Sequence, residues 1–122
     1  MVKDWPGFAD EMSQALAGLR SGIPDVMSAF SQLAKSAIAP GAMDPKSKEM
    51  VALGIAVSTR CDGCITFHAR AARDYGATRE EVLETIGMAI YMGDGPSVMY
   101  AALALEAYDQ HAADRKVVEG CC

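Results

Sequence analysis

The chain has 122 residues, 51% of them hydrophobic and 22% charged, a length and composition that predict one folded domain spanning residues 1–122. Its 16 acidic and 11 basic residues give a formal charge of −5, and no long basic block is present, which argues against nucleic acid or an anionic membrane as partner. The start of the chain lacks the order of a signal peptide, and no uncharged apolar stretch approaches the roughly 20 residues that span a bilayer. We therefore expect a cytoplasmic protein.

Glycine and proline residues divide the sequence into about six predicted helices, and much of its apolar content is Ala and Met, which favours helices over sheets. The first helix is predicted from about Phe8 to Leu19. A second follows Pro24, with an apolar stripe at helical spacing formed by Val26, Phe30, Leu33 and Ala37. The fold class is thus predicted to be all-α.

The third and fourth helices enclose the most informative part of the chain. Asp44 and Pro45 form a start signal for the third helix, a capping side chain followed by proline in the first turn. The apolar run 50–57 then predicts a helix buried on all sides. Ser58 or Thr59 is predicted to cap the fourth helix, which carries residues 61–75 and ends at a glycine.

The fifth helix has the clearest start signal in the chain. Thr78 and Glu81 have the spacing of a capping box, and an apolar stripe follows them. A turn through residues 93–96 precedes the sixth helix, which is apolar nearly all round from Val98 to Tyr108. Two helices that are apolar on every side are hard to cover in a domain of this size, so we expect a homo-oligomer. The alternative is that the other four helices wrap these two within one monomer.

Three potentially reactive side chains share one face of the fourth helix. Cys61, Cys64 and His68 are separated by three and then four residues, so a turn of about 100° per residue brings them together. A reducing compartment makes a close Cys pair redox-active or metal-binding rather than structural. An imidazole and a helix N-terminus both favour a thiolate.

The spacing Glu49, eleven residues, Cys61-x-x-Cys64, three residues, His68 resembles the signature of the AhpD-like alkylhydroperoxidases in the carboxymuconolactone decarboxylase superfamily. The resemblance covers about residues 40–110, including the Gly-Asp-Gly-Pro-Ser turn. It implies an all-helical AhpD-like core that assembles into trimers or hexamers. It also implies that Cys64 attacks a peroxide, that Cys61 is its disulfide partner, and that His68 and Glu49 relay protons. Gly63 departs from the pattern, since the best-known peroxidases carry a second histidine there.

The resemblance thus implies a thiol-dependent peroxidase or disulfide reductase that needs no cofactor or metal and is re-reduced by an external dithiol of thioredoxin or lipoyl type. The alternative is a non-catalytic redox sensor or thiol–disulfide exchange subunit. Family members that lack the cysteines decarboxylate a lactone acid, so the presence of both cysteines argues against that activity here.

Other residues receive simpler interpretations. A zinc site on Cys61, Cys64 and His68 would leave one ligand position open, and because no second Cys-x-x-Cys follows, we favour the dithiol. His111 is expected to be solvated near the end of the last helix, without a functional role. Cys121 and Cys122 are expected to be incidental thiols at the terminus, and the methionines of the helices are expected to fill the core.

Overall fold

The computed structural model describes residues 1–114. Within that range it contains six α-helices and no strand: α1 (Trp5–Gly22), α2 (Pro24–Ile38), α3 (Pro45–Thr59), α4 (Asp62–Asp74), α5 (Arg79–Met92) and α6 (Gly95–Asp114). The predicted all-α fold is confirmed. No helix among these residues is both long and apolar enough to cross a membrane.

The core lies between the last four helices. α3 packs on α4 and α5, and α6 packs on α4 and α5, while α1 lies against α4 and α6. The largest apolar side chains that are completely buried are Leu53, Ile65, Val57 and Val82 of these helices and Trp5 of α1. α2 contacts α1 and α3 and has no buried residue. The four-helix core therefore positions the predicted site, and α2 lies outside it.

Local capping explains where several helices begin. The Asp44 side chain accepts a hydrogen bond from the Ser47 amide over 2.8 Å, and a proline occupies the first turn of α3. At α5, the Thr78 hydroxyl accepts from the Glu81 amide and the Glu81 carboxylate accepts from the Thr78 amide. Both predicted starts are confirmed. They were predictable because each depends on residues three apart in the sequence.

Two predicted helices are longer than expected. α1 begins at Trp5 rather than near Phe8, because Asp4 caps it by accepting a hydrogen bond from the Gly7 amide over 3.2 Å. α6 runs over Gly95–Asp114, beyond the predicted range at both ends. Its first turn contains a proline, which a helix N-terminus tolerates because the missing amide hydrogen has no acceptor there.

The predicted cap of α4 by Ser58 or Thr59 is wrong. Both residues lie inside α3, where the Thr59 hydroxyl donates to the Ile55 carbonyl over 3.0 Å. Arg60 then adopts the left-handed conformation, with φ of 57°, and ends α3. Cys61 is the residue that caps α4. Only Arg60 and Cys61 therefore separate α3 from α4.

α3 is a helix, as predicted, but the prediction that it is buried on all sides is wrong. Leu53 and Val57 are completely buried, whereas Val51 and Ile55 are 51% and 56% exposed. The expectation that the methionines fill the core also fails in part, since Met88, Met92 and Met99 are exposed. A small helical domain has too little interior to cover both faces of each apolar helix.

Candidate redox site

The cysteine pair forms the start of α4. Cys61 is the N-cap residue, with extended backbone, and its Sγ accepts a hydrogen bond from the Cys64 amide over 3.2 Å. The two side chains are joined in a disulfide, and their Cα atoms lie 5.2 Å apart. The prediction that these two thiols can reach each other is confirmed. Because the amides at a helix N-terminus carry partial positive charge, this position also favours an anion on sulfur.

An imidazole and a carboxylate lie beside this pair. His68 is on α4 one turn after Cys64, and its Nδ1 lies 2.6 Å from Glu49 Oε1 on α3. Glu49 is buried, being 7% exposed, and the His68 side chain is 23% exposed. A carboxylate accepting from Nδ1–H selects the tautomer in which Nε2 is the basic nitrogen of the neutral ring. The packing of α3 against α4 therefore brings together the two members of the predicted relay.

The exposed apolar side chains of α3 lie on the side of the helix opposite to Glu49. A groove of about 430 Å³ between α3 and α5 is lined by Met43, Ser47, Met50, Val51, Gly54, Ile55, Ser58, Thr85, Met88, Ala89 and Met92. None of the four candidate residues lines it. The groove residues of α3 and Glu49 point in opposite directions around the helix axis. The four candidate residues thus form a site separate from this groove.

Within residues 1–114, no three His, Cys, Asp or Glu side chains converge in a group able to hold a metal ion. The zinc site considered from the sequence consists of Cys61, Cys64 and His68. Its two cysteines are joined to each other by a disulfide. Zinc is bound by thiolates, so the bonded sulfurs offer it no ligand in this oxidised state.

The N-terminal part of the chain also contacts the residues between the two cysteines, a feature that no signal in the sequence predicts. Lys3 Nζ lies 2.6 Å from Oδ2 of Asp62, the residue between Cys61 and Gly63. A Cβ atom placed on Gly63 would lie 3.7 Å from Cε of Met12 in α1. These contacts join residues about 50 to 60 positions apart, and helical periodicity carries no signal for such pairings.

His111 is buried, which corrects the expectation of a solvated side chain. It is 1% exposed, and its Nε2 lies 2.9 Å from Thr66 Oγ1 on α4. The same hydroxyl donates to the Trp5 carbonyl over 3.0 Å. α6 continues to Asp114 and packs on α4, so the polar surroundings of His111 in the sequence do not describe its surroundings in space.

The sequence profile of the carboxymuconolactone decarboxylase family matches residues 24–107, which include all four candidate site residues. The chain belongs to the carboxymuconolactone decarboxylase family. A family protein from Legionella pneumophila, whose crystal structure is of the apo form, has 46% sequence identity and a TM-score of 0.86; the alignment covers 88% of this chain and 96% of that one. The family resemblance predicted from the sequence is confirmed.

Two further proteins are similar to this chain. An uncharacterised protein of Cupriavidus necator is 37% identical over 109 residues, covering 89% of this chain and 96% of the relative. A protein from Thermotoga maritima has 22% identity and a TM-score of 0.73, over 84% of this chain and 99% of that one, and this likeness concerns the fold alone. Family membership establishes the fold, and the chemistry depends on the residues at the candidate site. Cys121 and Cys122 lie outside the described residues.

Proposed function

We propose that this carboxymuconolactone decarboxylase family protein is a thiol-dependent peroxidase or disulfide reductase. Its substrate is a hydroperoxide or the disulfide of another molecule, which it reduces through Cys61 and Cys64. The observation that carries the proposal is the pairing of a disulfide-forming Cys-x-x-Cys at a helix N-terminus with a hydrogen-bonded His68–Glu49 pair one turn further along. A dithiol, a base and a residue that orients the base make up the groups needed for nucleophilic thiol chemistry.

The first step is peroxide cleavage. His68 accepts the Cys64 proton, and the thiolate attacks the terminal oxygen of the hydroperoxide. The O–O bond breaks, Cys64 becomes a sulfenic acid, and the departing alkoxide takes the proton from His68 to leave as an alcohol. Glu49 stabilises the imidazolium that forms between these two transfers, since its carboxylate lies 2.6 Å from Nδ1.

The second step forms the disulfide. Cys61 attacks the sulfur of the Cys64 sulfenic acid as a thiolate, and hydroxide leaves and is protonated to water. The Cys64 amide, which donates to Cys61 Sγ over 3.2 Å, favours negative charge on this attacking sulfur. The peroxide thus receives two electrons from the dithiol. An external dithiol returns them by thiol–disulfide exchange and is itself oxidised, and a partner of thioredoxin or lipoyl type has the required chemistry.

The two cysteines favour this proposal over the decarboxylation after which the family is named. A hydroperoxide cycle uses both thiols, whereas lactone decarboxylation has no need of a dithiol. The second candidate function is a redox sensor in which disulfide formation alters assembly or binding. Gly63 favours it, because the position that carries an additional base in the best-known peroxidases is without a side chain here and is covered by Met12.

The test measures consumption of tert-butyl hydroperoxide with dithiothreitol as the electron donor. We expect Cys64→Ser to lower kcat/KM by at least about a hundredfold, the scale on which loss of a reacting group acts. Cys61→Ser should form a sulfenic acid on Cys64 in a single turnover, which dimedone traps and mass spectrometry locates. Replacing Cys121 and Cys122 with serine is the matched control and should leave the rate unchanged.

Glu49→Gln tests the relay separately from the thiols. Glutamine keeps the size of the side chain and removes the charge that stabilises the imidazolium, so we expect a rate lowered by about tenfold or more and a changed pH profile. Undiminished hydroperoxide consumption in Cys64→Ser contradicts the proposed mechanism. An inactive wild type whose oxidised and reduced forms differ in assembly supports the sensor instead.

A further inference from the structure

A carboxylate lies within the dithiol motif itself. Asp62 directly follows Cys61, precedes Cys64 by two residues, and is the first residue of α4. A negative charge this close opposes the formation of a thiolate on either sulfur, because like charges repel most strongly at short range. The proposed reaction needs that thiolate. The motif therefore contains a charge that works against its own chemistry unless a cation compensates it.

Lys3 provides such a cation. Its Nζ lies 2.6 Å from Asp62 Oδ2, and about a third of each side chain is exposed. The same ammonium group lies 4.2 Å from the centre of the Phe8 ring and 5.0 Å from that of Trp5. Aromatic faces attract cations, so both rings help to hold the ammonium beside the carboxylate.

The backbone around Lys3 is anchored to α6. The Lys3 carbonyl accepts a hydrogen bond from Gln110 Nε2 over 2.8 Å, and its amide donates to Glu106 Oε1 over 3.3 Å. Two residues later, the Trp5 amide donates to Gln110 Oε1 over 2.7 Å. Hydrogen bonds on both sides of Lys3 thus direct its side chain towards the start of α4, and less conformational entropy is lost in forming the ion pair.

We propose that Lys3 is a positioning residue for the Cys61–Cys64 dithiol, which it keeps reactive at neutral pH by neutralising Asp62. This inference deepens the proposed function and rests on it for its biological meaning. Lys3 itself reacts with nothing. It acts on the sulfurs through the charge of Asp62. Removal of the Lys3 ammonium should therefore lower thiol reactivity, and removal of the Asp62 carboxylate should raise it.

The experiment measures alkylation of the fully reduced protein by iodoacetamide at pH 7 and low salt. Trypsin cleaves after Arg60 and Arg70, so peptide 61–70 contains the dithiol, whereas Cys121 and Cys122 fall in a different peptide. Mass spectrometry then follows the dithiol separately from the tail cysteines. The midpoint potential of the dithiol against dithiothreitol is measured on the same variants.

We expect Lys3→Met to slow alkylation of peptide 61–70 by about three- to tenfold, since it leaves the carboxylate uncompensated near sulfur. Asp62→Asn should accelerate alkylation by a similar factor, because the ammonium then stands alone beside the dithiol. The double variant Lys3→Met/Asp62→Asn should return to within about twofold of wild type. Lys3→Arg should retain the wild-type rate. Lys35→Met, which removes an exposed charge on α2, is the matched control and should change nothing.

Salt provides a second readout of the same effect. In 1 M NaCl the difference between Lys3→Met and wild type should shrink, because the screening length falls to about 3 Å. Both variants break the same ion pair. If the ion pair only stabilised the local structure, Lys3→Met and Asp62→Asn would therefore change the alkylation rate in the same direction. That result, or equal rates in all variants, overturns the proposal.

These measurements require no peroxidase activity, which separates the two proposals. Opposite changes in alkylation together with an absence of hydroperoxide consumption would leave the role of Lys3 intact and reject the peroxidase. Normal hydroperoxide consumption with unchanged alkylation in every variant would support the peroxidase and reject the role of Lys3.

Discussion

Burial determines the chemistry of the histidine at position 111. Its side chain is almost completely inaccessible, and its Nδ1 has no hydrogen-bond partner among the described residues. Burial is the largest cause and, together with the positive charges of Arg70 and Arg73, lowers the pKa of His111 from 6.5 to about 4. A neutral ring is therefore part of the folded structure at neutral pH. This residue joins α6 to Thr66 on α4.

The low pKa of His111 makes stability depend on pH. Between about pH 6.5 and pH 4 the unfolded chain binds a proton at His111 that the folded chain does not, so stability falls as the pH falls through this window. We expect the His111 contribution to the free energy of unfolding to decrease by about 2 kcal/mol between pH 7 and pH 5. Urea unfolding at the two pH values measures the decrease, and His111→Gln should abolish this part of it.

Wild type and His111→Gln both retain His68 and all carboxylates. The difference between their pH dependences therefore reports the titration of His111 and not that of other groups. Glutamine also keeps a polar group near Thr66, which limits the loss of stability at pH 7. Equal changes in the free energy of unfolding for wild type and His111→Gln would contradict the role assigned to the buried imidazole.

At the scale of the helices, the end of α4 depends on one glycine. Gly76 has a φ of +89°, and its amide donates to the Arg73 carbonyl over 2.9 Å. The next amide, of Ala77, donates to the Ala72 carbonyl over 2.9 Å. These two bonds form a Schellman motif, which requires the left-handed conformation at the position of Gly76. α3 ends in the same way with Arg60, a residue that adopts this conformation at a steric cost.

We expect Gly76→Ala to lower the free energy of unfolding by about 1 kcal/mol, because a Cβ is disfavoured at positive φ. Gly18→Ala is the matched control. Gly18 lies inside α1, and a Cβ placed there meets no atom within 4 Å, so this substitution should stabilise the protein by about 0.5–1 kcal/mol. Chemical denaturation measures both variants, and an unchanged midpoint for Gly76→Ala would refute the assigned role of the glycine.

At the scale of the whole molecule, much apolar surface remains uncovered. On α2, Val26 and Leu33 are each 63% exposed and Phe30 is 50% exposed. The groove between α3 and α5 is bordered by exposed methionines. Contiguous apolar surface of this kind is typical of interfaces between proteins. It supports the expectation, made from the sequence, of a homo-oligomer.

We expect a trimer or hexamer, the states implied by the family resemblance, when the mass in solution is measured by light scattering after size exclusion. Leu33→Glu should shift the protein towards a monomer, because it places a charge within the apolar stripe of α2. Gln32→Glu adds the same charge at an exposed position beside the stripe and should leave the assembly intact. A monomeric wild type, or an oligomer unaffected by Leu33→Glu, would count against this surface as an interface.

The sequence by itself determined the features that depend on neighbours a few residues apart. Helical spacing was enough to place His68 one turn after Cys64 on α4, and capping signals were enough to locate the starts of α3 and α5. These features were predictable because hydrogen bonding within a helix fixes the relative positions of residues three or four apart. Even here the start of α4 was misassigned, because a cysteine rather than a serine or threonine caps it.

The tertiary structure alone decided which distant residues meet. The pairing of His68 with Glu49 could be expected only from the family resemblance, and no sequence signal indicated the contact of Lys3 with Asp62. The burial of His111 was hidden by its polar neighbours in the chain. The physical reason is the same in each case: these contacts arise where helices pack, and packing depends on the shape and apolar surface of the whole core.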